Sequence, residues 1–180
     1  MPITRFRDEH FFLSSMYPLP KGVETTDGLV VDSVEIGYQA SKFTSPDAQK
    51  TVLEALDGYR AKRIAREMQN DGLELRQDWE TARLEVMRWF VWQKFGRNES
   101  EAALLLGTKD QEIIEGNTWN DQYWGASPLA KEVELYEGRN NLGLLLMQGR
   151  DLLRHGIDLL ADVHRDVELE SGEVRLWPTN

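Results

Sequence analysis

Asp78-Trp79-Glu80-Thr81-Ala82-Arg83-Leu84-Glu85-Val86-Met87-Arg88-Trp89-Phe90-Val91-Trp92-Gln93-Lys94-Phe95 reads as one long helix. Asp78 suits the capping position at its start. Leu84, Met87, Val91 and Phe95 fall on one face at helical spacing, and Trp79, Ala82, Val86 and Phe90 on a neighbouring face. Apolar coverage this wide predicts a helix buried over much of its girth. Gly96 follows as a C-cap candidate.

Upstream, Ser45-Pro46-Asp47 signals a second helix start: Ser45 can cap, Pro46 fits the first helical position and Asp47 the first turn. Val52, Leu53 and Leu56 form its stripe, broken near Gly58. Ala61, Ile64, Ala65 and Met68 carry helical spacing on to Asp71-Gly72. Before that, Ile3 to Phe6 and Leu29 to Val31 are strand-like pieces, separated by Pro18-Leu19-Pro20-Lys21-Gly22 and by Asp27-Gly28. Downstream, a short helix is expected from Glu99 to Leu106, with Asn98 and Glu101 resembling a capping box and Gly107 closing it. Gln111 to Glu115 is a strand candidate, residues 116 to 141 read as a long loop rich in Gly, Asn and aromatics, and Leu142 to Arg154 is the last clear helix. Val167 and Leu169, then Val174 and Leu176, alternate around Ser171-Gly172 and signal a hairpin. The expected class is α+β, mainly helical, a single compact domain with short strands and a C-terminal hairpin.

Composition bounds the function. The chain of 180 residues is long enough for a sizeable core. Its 21 Lys and Arg against 31 Asp and Glu leave a formal charge of −10, which disfavours broad binding to nucleic acid or an anionic membrane but leaves room for a local basic pocket. With 0 Cys, disulfides, thiolate metal sites and a cysteine nucleophile are excluded. The three His have no zinc-ligand spacing, so neither a metal nor another cofactor is expected. There is no Walker or Rossmann glycine loop and no GxSxG. Phe11 to Leu13 is too short for a signal-peptide core, and no stretch has the length of a membrane span. A soluble, cytoplasmic protein without membrane partners is expected.

Several polar residues are locally odd. Glu35 follows Val30, Val31 and Val34. In a helix, Gln39 lies one turn on and Lys42 two turns on, so acceptor, amide and cation would share one side. The same pattern also fits a capping Glu followed by a solvated face. Trp79 at a helix start is either a core aromatic or a platform that stacks a base. Asn117-Thr118-Trp119-Asn120-Asp121-Gln122-Tyr123-Trp124-Gly125 places three aromatics and an Asp without regular period, as in a packed Ω-loop or a ligand wall. Arg139-Asn140-Asn141 opens the last helix, where Asn is most simply a cap. Arg150, deeper in that apolar helix, needs a carboxylate or a ligand phosphate as partner.

Five segments, in order, resemble the NADAR (YbiA-like) family. Phe12-Leu13-Ser14-Ser15-Met16-Tyr17-Pro18 resembles its FLSNFYP opening, and Val34-Glu35-Ile36-Gly37-Tyr38-Gln39-Ala40-Ser41-Lys42-Phe43 its VEHxFQAxKF element. Asp78-Trp79 with Val86-Met87 is similar to its DW…VM helix, and Asn120-Asp121-Gln122-Tyr123-Trp124-Gly125 to its ND-x-x-WG loop. Gly138-Arg139-Asn140-Asn141-Leu142-Gly143, Leu146-Met147 and Arg150 resemble its G-x-N-x-LG-x-x-LM-x-x-R closing helix. The resemblance runs from about residue 5 to residue 153 and assigns 1–154 to the family domain, leaving 155–180 as an acidic extension packed on it. Two positions depart from the pattern: Ser15 stands where the family has Asn, and Ile36 where it has His.

The resemblance implies an N-glycosidase, which hydrolyses the bond between a ribose C1′ and a nitrogen. It implies as substrates phosphoribosylated pyrimidine intermediates of riboflavin synthesis, or ADP-ribose on guanine, including modified single-stranded DNA. The matching functional positions are Glu35, Trp79 and Asp121. Two carboxylates suit an oxocarbenium-like transition state by analogy with glycoside hydrolysis. Glu35 is thus expected as acid/base and Asp121 as the group that positions ribose or water. Trp79 would stack the base and Trp124 wall the pocket. Lys42, Arg150 and Arg139 would meet phosphate, with Gln39 and Asn140 as further substrate contacts. A non-catalytic ADP-ribose or NAD reader is the alternative. An antitoxin paired with a guanine-modifying ADP-ribosyltransferase toxin would use the same chemistry.

Overall fold

The computed structural model describes residues 1–130 and 133–163. In chain order they form a 3-10 helix (Asp8–Leu13), β1 (Val23–Glu24), β2 (Val30–Val31), α1 (Val34–Ala40), α2 (Pro46–Leu53), α3 (Gly58–Asn70), α4 (Trp79–Arg97), α5 (Glu99–Gly107), β3 (Ser127–Ala130), β4 (Val133–Glu137) and α6 (Asn141–Arg154). Helix dominates, and the strands make two separate antiparallel pairs, β1–β2 and β3–β4. The fold is the mixed, mainly helical one that the periodicities imply. The hairpin expected around Ser171-Gly172 lies outside the described residues. The described residues form two compact units, 1–14 with 100–157 and 15–99 with 158–163. Each unit therefore draws on two stretches of sequence.

In the unit built on residues 15–99, α4 is buried from Trp89 to Phe95, as its apolar coverage predicts. Two details of its ends differ from expectation. Asp78 makes no side-chain cap, because its carboxylate is held by Arg76 through Nε and Nη2, both at 2.6 Å. Gly96 does not stop the helix, which continues to Arg97. A Cβ at Gly96 would come within 2.7 Å of Leu160 Cγ, so close packing explains this glycine. Asn98 forms no capping box. Its Nδ2 donates to the Lys94 and Gly22 carbonyls, and its Oδ1 accepts from the Lys21 N–H. The expected breaks upstream are real: Ser45 caps α2 by accepting from the Ala48 N–H, and Asp57 caps α3 by accepting from the Arg60 N–H.

In the unit built on residues 100–157, the strand expected at Ile3 to Phe6 is reduced to one parallel bridge between Ile3 and Ile113, which is also all that the Gln111 to Glu115 candidate contributes. The stretch 116–141 is not one loop. It contains the β3–β4 hairpin, with Ser127 opposite Glu137 and Pro128 opposite Tyr136. Pro128 and the irregularity after it hide the strand alternation in the sequence.

Candidate active site

Ser33 caps α1 by accepting from the Ile36 N–H, and all seven residues of the helix are buried. Gly37 makes that burial feasible: a Cβ there would lie 2.4 Å from the Phe90 ring of α4. Glu35 is 5% exposed, so the solvated-face alternative does not hold. Both its oxygens accept hydrogen bonds, Oε1 from Gln39 Nε2 at 2.8 Å and Oε2 from Ser15 Oγ at 2.6 Å. The Glu35 N–H donates to the Ser15 carbonyl at 2.9 Å. Gly58, the first residue of α3, lets that helix approach: a Cβ there would lie 2.9 Å from the Glu35 Cβ.

Lys42 does not continue the α1 stripe, because the helix ends at Ala40. It reaches the cluster from the turn beyond. Its Nζ lies 5.6 Å from the centre of the Tyr38 ring and 5.9 Å from that of Trp79. Burial lowers its pKa to about 8; Glu35 opposes the shift, and Lys62 and Arg83 add to it. The Arg76 N–H donates to the Lys42 carbonyl at 2.8 Å, and Arg76 in turn holds Asp78, immediately before Trp79. The Arg76 guanidinium donates to the Asp78 carboxylate and so holds that carboxyl below its usual range.

Trp79 is 5% exposed, with its ring centre 5.1 Å from that of Tyr38 at 53°. It is a buried aromatic whose ring is also shared with the Lys42 ammonium. Glu35, Gln39, Lys42 and Trp79 thus gather in one unit, with Ser15, Tyr38 and Arg76 as members that the sequence did not single out as site residues. Tyr38 lies inside the quoted motif. Arg76 carried a weak signal, a cation two residues before an acid at a helix start. Ile36, at the family's His position, is 2% exposed and packs in the core.

The other unit holds Asp121, Trp124, Arg139, Asn140 and Arg150. Asp121 Oδ1 accepts from the Tyr123 and Trp124 N–H groups at 3.1 and 2.9 Å. Asn117 and Asp121 exchange bonds: Asn117 Nδ2 donates to the Asp121 carbonyl and the Asp121 N–H to Asn117 Oδ1. Tyr123 and Trp124 pack edge to face at 4.9 Å. The stretch 117–125 is therefore a knotted Ω-type loop. Its carbonyls also accept from the entry to α6: Arg139 N–H donates to Gln122, Asn140 N–H to Gly125 and Leu142 N–H to Trp124. The Arg139 guanidinium is exposed and lies 5.6 Å from the Tyr123 ring centre.

Asn140 is not a side-chain cap. It sits at φ 51°, with its amide turned to the 113–115 backbone, where Oδ1 accepts from the Glu115 N–H and Nδ2 donates to the Ile113 carbonyl. Arg150 is 4% exposed, and its Nη1 donates to Thr108 Oγ1 and the Gln111 carbonyl, both at 2.8 Å. Burial lowers its pKa, Arg154 adds to the shift and Asp151 and Asp110 oppose it, while the Nη1 bonds go to a hydroxyl and a carbonyl rather than to the carboxylate or phosphate expected of it. Both residues tie their own unit together. Among the described residues, no group of three or more His, Asp or Glu side chains is arranged to hold a metal ion, and no helix is long and apolar enough to cross a membrane.

The model of the NADAR domain family matches residues 4–154. The chain is 37% identical over 147 residues to a riboflavin biosynthesis protein of Vibrio vulnificus (strain YJ016), covering 82% of this chain but 36% of that protein. It therefore spans about a third of that relative's length. It is 32% identical over 127 residues to the N-glycosidase YbiA of Escherichia coli (strain K12), covering 71% of this chain and 73% of that one. The NMR structure of the E. coli protein YbiA superposes with a TM-score of 0.67 at 28% identity, over 86% of each chain.

Proposed function

The chain belongs to the NADAR domain family, and from that premise we propose that it is an N-glycosidase, hydrolysing the bond between a ribose C1′ and a base nitrogen. The observation that carries this is Glu35: a buried carboxylate, each oxygen held by one donor, beside the Lys42 ammonium and the Tyr38–Trp79 pair. A carboxylate oxygen has two lone pairs, so each keeps one for the reaction. The water oxygen bonds to C1′ while the C1′–N bond breaks, its electron pair going to the base. Glu35 takes one proton from the water and passes it to the departing nitrogen, which restores the carboxylate. An anionic Glu35 also favours the positive charge that develops on the ribose.

Lys42 supplies the contact for a phosphate, and Trp79 with Tyr38 the aromatic wall behind it. In the 117–125 loop, Asp121 is a positioning group and Trp124 a wall. Arg139, exposed over Tyr123, is that unit's candidate phosphate contact. This reading gives no substrate contact to Asn140, whose amide bonds the 113–115 backbone, or to Arg150, whose Nη1 bonds Thr108 Oγ1 and the Gln111 carbonyl.

A phosphoribosylated pyrimidine of riboflavin synthesis is the favoured substrate, supported by the similarity to a protein named for that pathway. ADP-ribose on guanine presents the same ribose–nitrogen bond and phosphate. Chromatography after incubation with a phosphoribosylated pyrimidine, ADP-ribosyl-guanosine and ADP-ribosylated single-stranded DNA tests the proposal. Release of base from at least one is expected. Tight binding with no release from any would make the protein a reader of ribosylated bases instead.

A further inference from the structure

We propose that Ser15 is a positioning residue for Glu35, its hydroxyl holding one oxygen of the carboxylate in place. The inference rests on the assignment of Glu35 as the proton acceptor. Ser15 grips Glu35 at both ends: its carbonyl accepts from the Glu35 N–H at 2.9 Å, and its Oγ donates to Glu35 Oε2 at 2.6 Å. The second distance is that of a charge-assisted O–H···O⁻ bond, among the stronger kinds in proteins.

The remaining freedom of Glu35 explains why one hydroxyl matters. Its backbone is fixed in a short, fully buried helix. Its Cβ is confined by Gly58, where a methyl group would approach to 2.9 Å. Its Oε1 is tied to Gln39 one turn along the same helix. What is left is rotation of the carboxylate about its last torsion, which is intrinsically broad. Gln39 alone leaves Oε2 free to swing, whereas the Ser15 hydroxyl comes from a separate segment and fixes the carboxylate plane. Misplacing a catalytic group by about 1 Å can cost about 100-fold in rate.

The test compares Ser15→Thr with Ser15→Val, which share a shape and differ only in the hydroxyl. Both are assayed as purified full chain on whichever panel substrate the native protein cleaves, with melting temperatures checked. The expected result is a kcat for Ser15→Thr within about threefold of native, and for Ser15→Val roughly 10–100-fold below it, with KM little changed in both. Equal kcat for the two variants, or a loss confined to KM, would overturn the inference while leaving the N-glycosidase assignment standing. If the extra methyl unfolds both, Ser15→Ala, which adds no atom, carries the same test: a fall in kcat at constant KM supports the inference and a native kcat overturns it. Failure of the native protein to release base from any substrate overturns the functional assignment and this inference with it.

Discussion

The Lys42 ammonium lies 5.9 Å from the centre of the Trp79 indole, at the end of a turn whose carbonyl is held by the Arg76 N–H. Two elements far apart in sequence, the exit from α1 and the entry to α4, thus present one cation on one aromatic surface. Burial leaves that cation with a pKa of about 8, so it titrates just above neutrality.

Two pH effects of opposite sign follow. Above about pH 8 Lys42 is neutral, and a phosphate loses its partner. Affinity for ribose 5-phosphate is expected to fall as pH rises from about 7 to about 9, with proton uptake on binding near pH 8, measured by calorimetry in buffers of different ionisation heat. The unliganded protein behaves the other way. Between about 8 and the ordinary lysine value of 10.5 the unfolded chain binds the proton and the folded one does not, so Lys42 contributes a stability that rises with pH across that window. Lys42→Met should abolish both trends. An affinity that is flat with pH in the native protein would remove Lys42 from the phosphate contact.

Gly37→Ala should destabilise the fold. The added methyl meets the Phe90 ring at 2.4 Å, and Phe90 is itself 2% exposed, so the ring would have to shift within the core. Overpacking of this kind costs about 1–3 kcal/mol, measurable by urea denaturation. Because α1 also carries Glu35 and Gln39, activity should fall further than the unfolded fraction accounts for.

Asp78→Asn removes the acid from a pair whose other member, Arg76, is buried. The Asp78 side chain is 47% exposed, so the loss is discounted for solvent to about 1 kcal/mol. Arg76 depresses the Asp78 pKa, and a depressed carboxyl contributes stability that is present above its unfolded value and lost as pH falls through its folded value. The difference between native and variant should therefore be full at neutral pH and shrink on the acid side of about pH 4. A difference that is constant with pH would contradict the pairing.

Asn140→Ala separates a structural role from a ligand-binding one. It removes the two side-chain bonds to the 113–115 backbone, at the Ile113 carbonyl and the Glu115 N–H, and puts alanine at φ 51°. A loss of about 1–3 kcal/mol in stability is expected, with KM close to native in the folded fraction. Native stability with a raised KM would return Asn140 to the substrate.

Much of the unit around Glu35 is legible in the sequence because its determinants are local. Ser45-Pro46-Asp47 marks a helix start by cap chemistry alone, and the i,i+4 spacing of Glu35 and Gln39 puts acceptor and amide on one side of a helix, where the structure bonds them. Where local rules mislead, a distant contact decides. Gly96 reads as a helix stop, yet like Gly37 it is a helical position that admits a neighbour, Leu160 for Gly96 and Phe90 for Gly37. Asp78 has the right residue type for a cap, but Arg76 takes its carboxylate. Arg150 reads as a phosphate ligand because a buried arginine demands acceptors. The sequence could not show that Thr108 and the Gln111 carbonyl provide them. The β3–β4 hairpin was hidden by Pro128 and an irregular register.

Glu35 carries the proposed hydrolysis, and Glu35→Gln tests it with least rearrangement, since the amide keeps the size and most of the hydrogen bonding of the carboxylate. The measurement is kcat for base release from an N-ribosylated substrate, with the melting temperature and ligand affinity of the variant taken alongside. A fall of at least about 100-fold in kcat is expected, by a folded protein that still binds ligand. Turnover close to native by such a protein would contradict it.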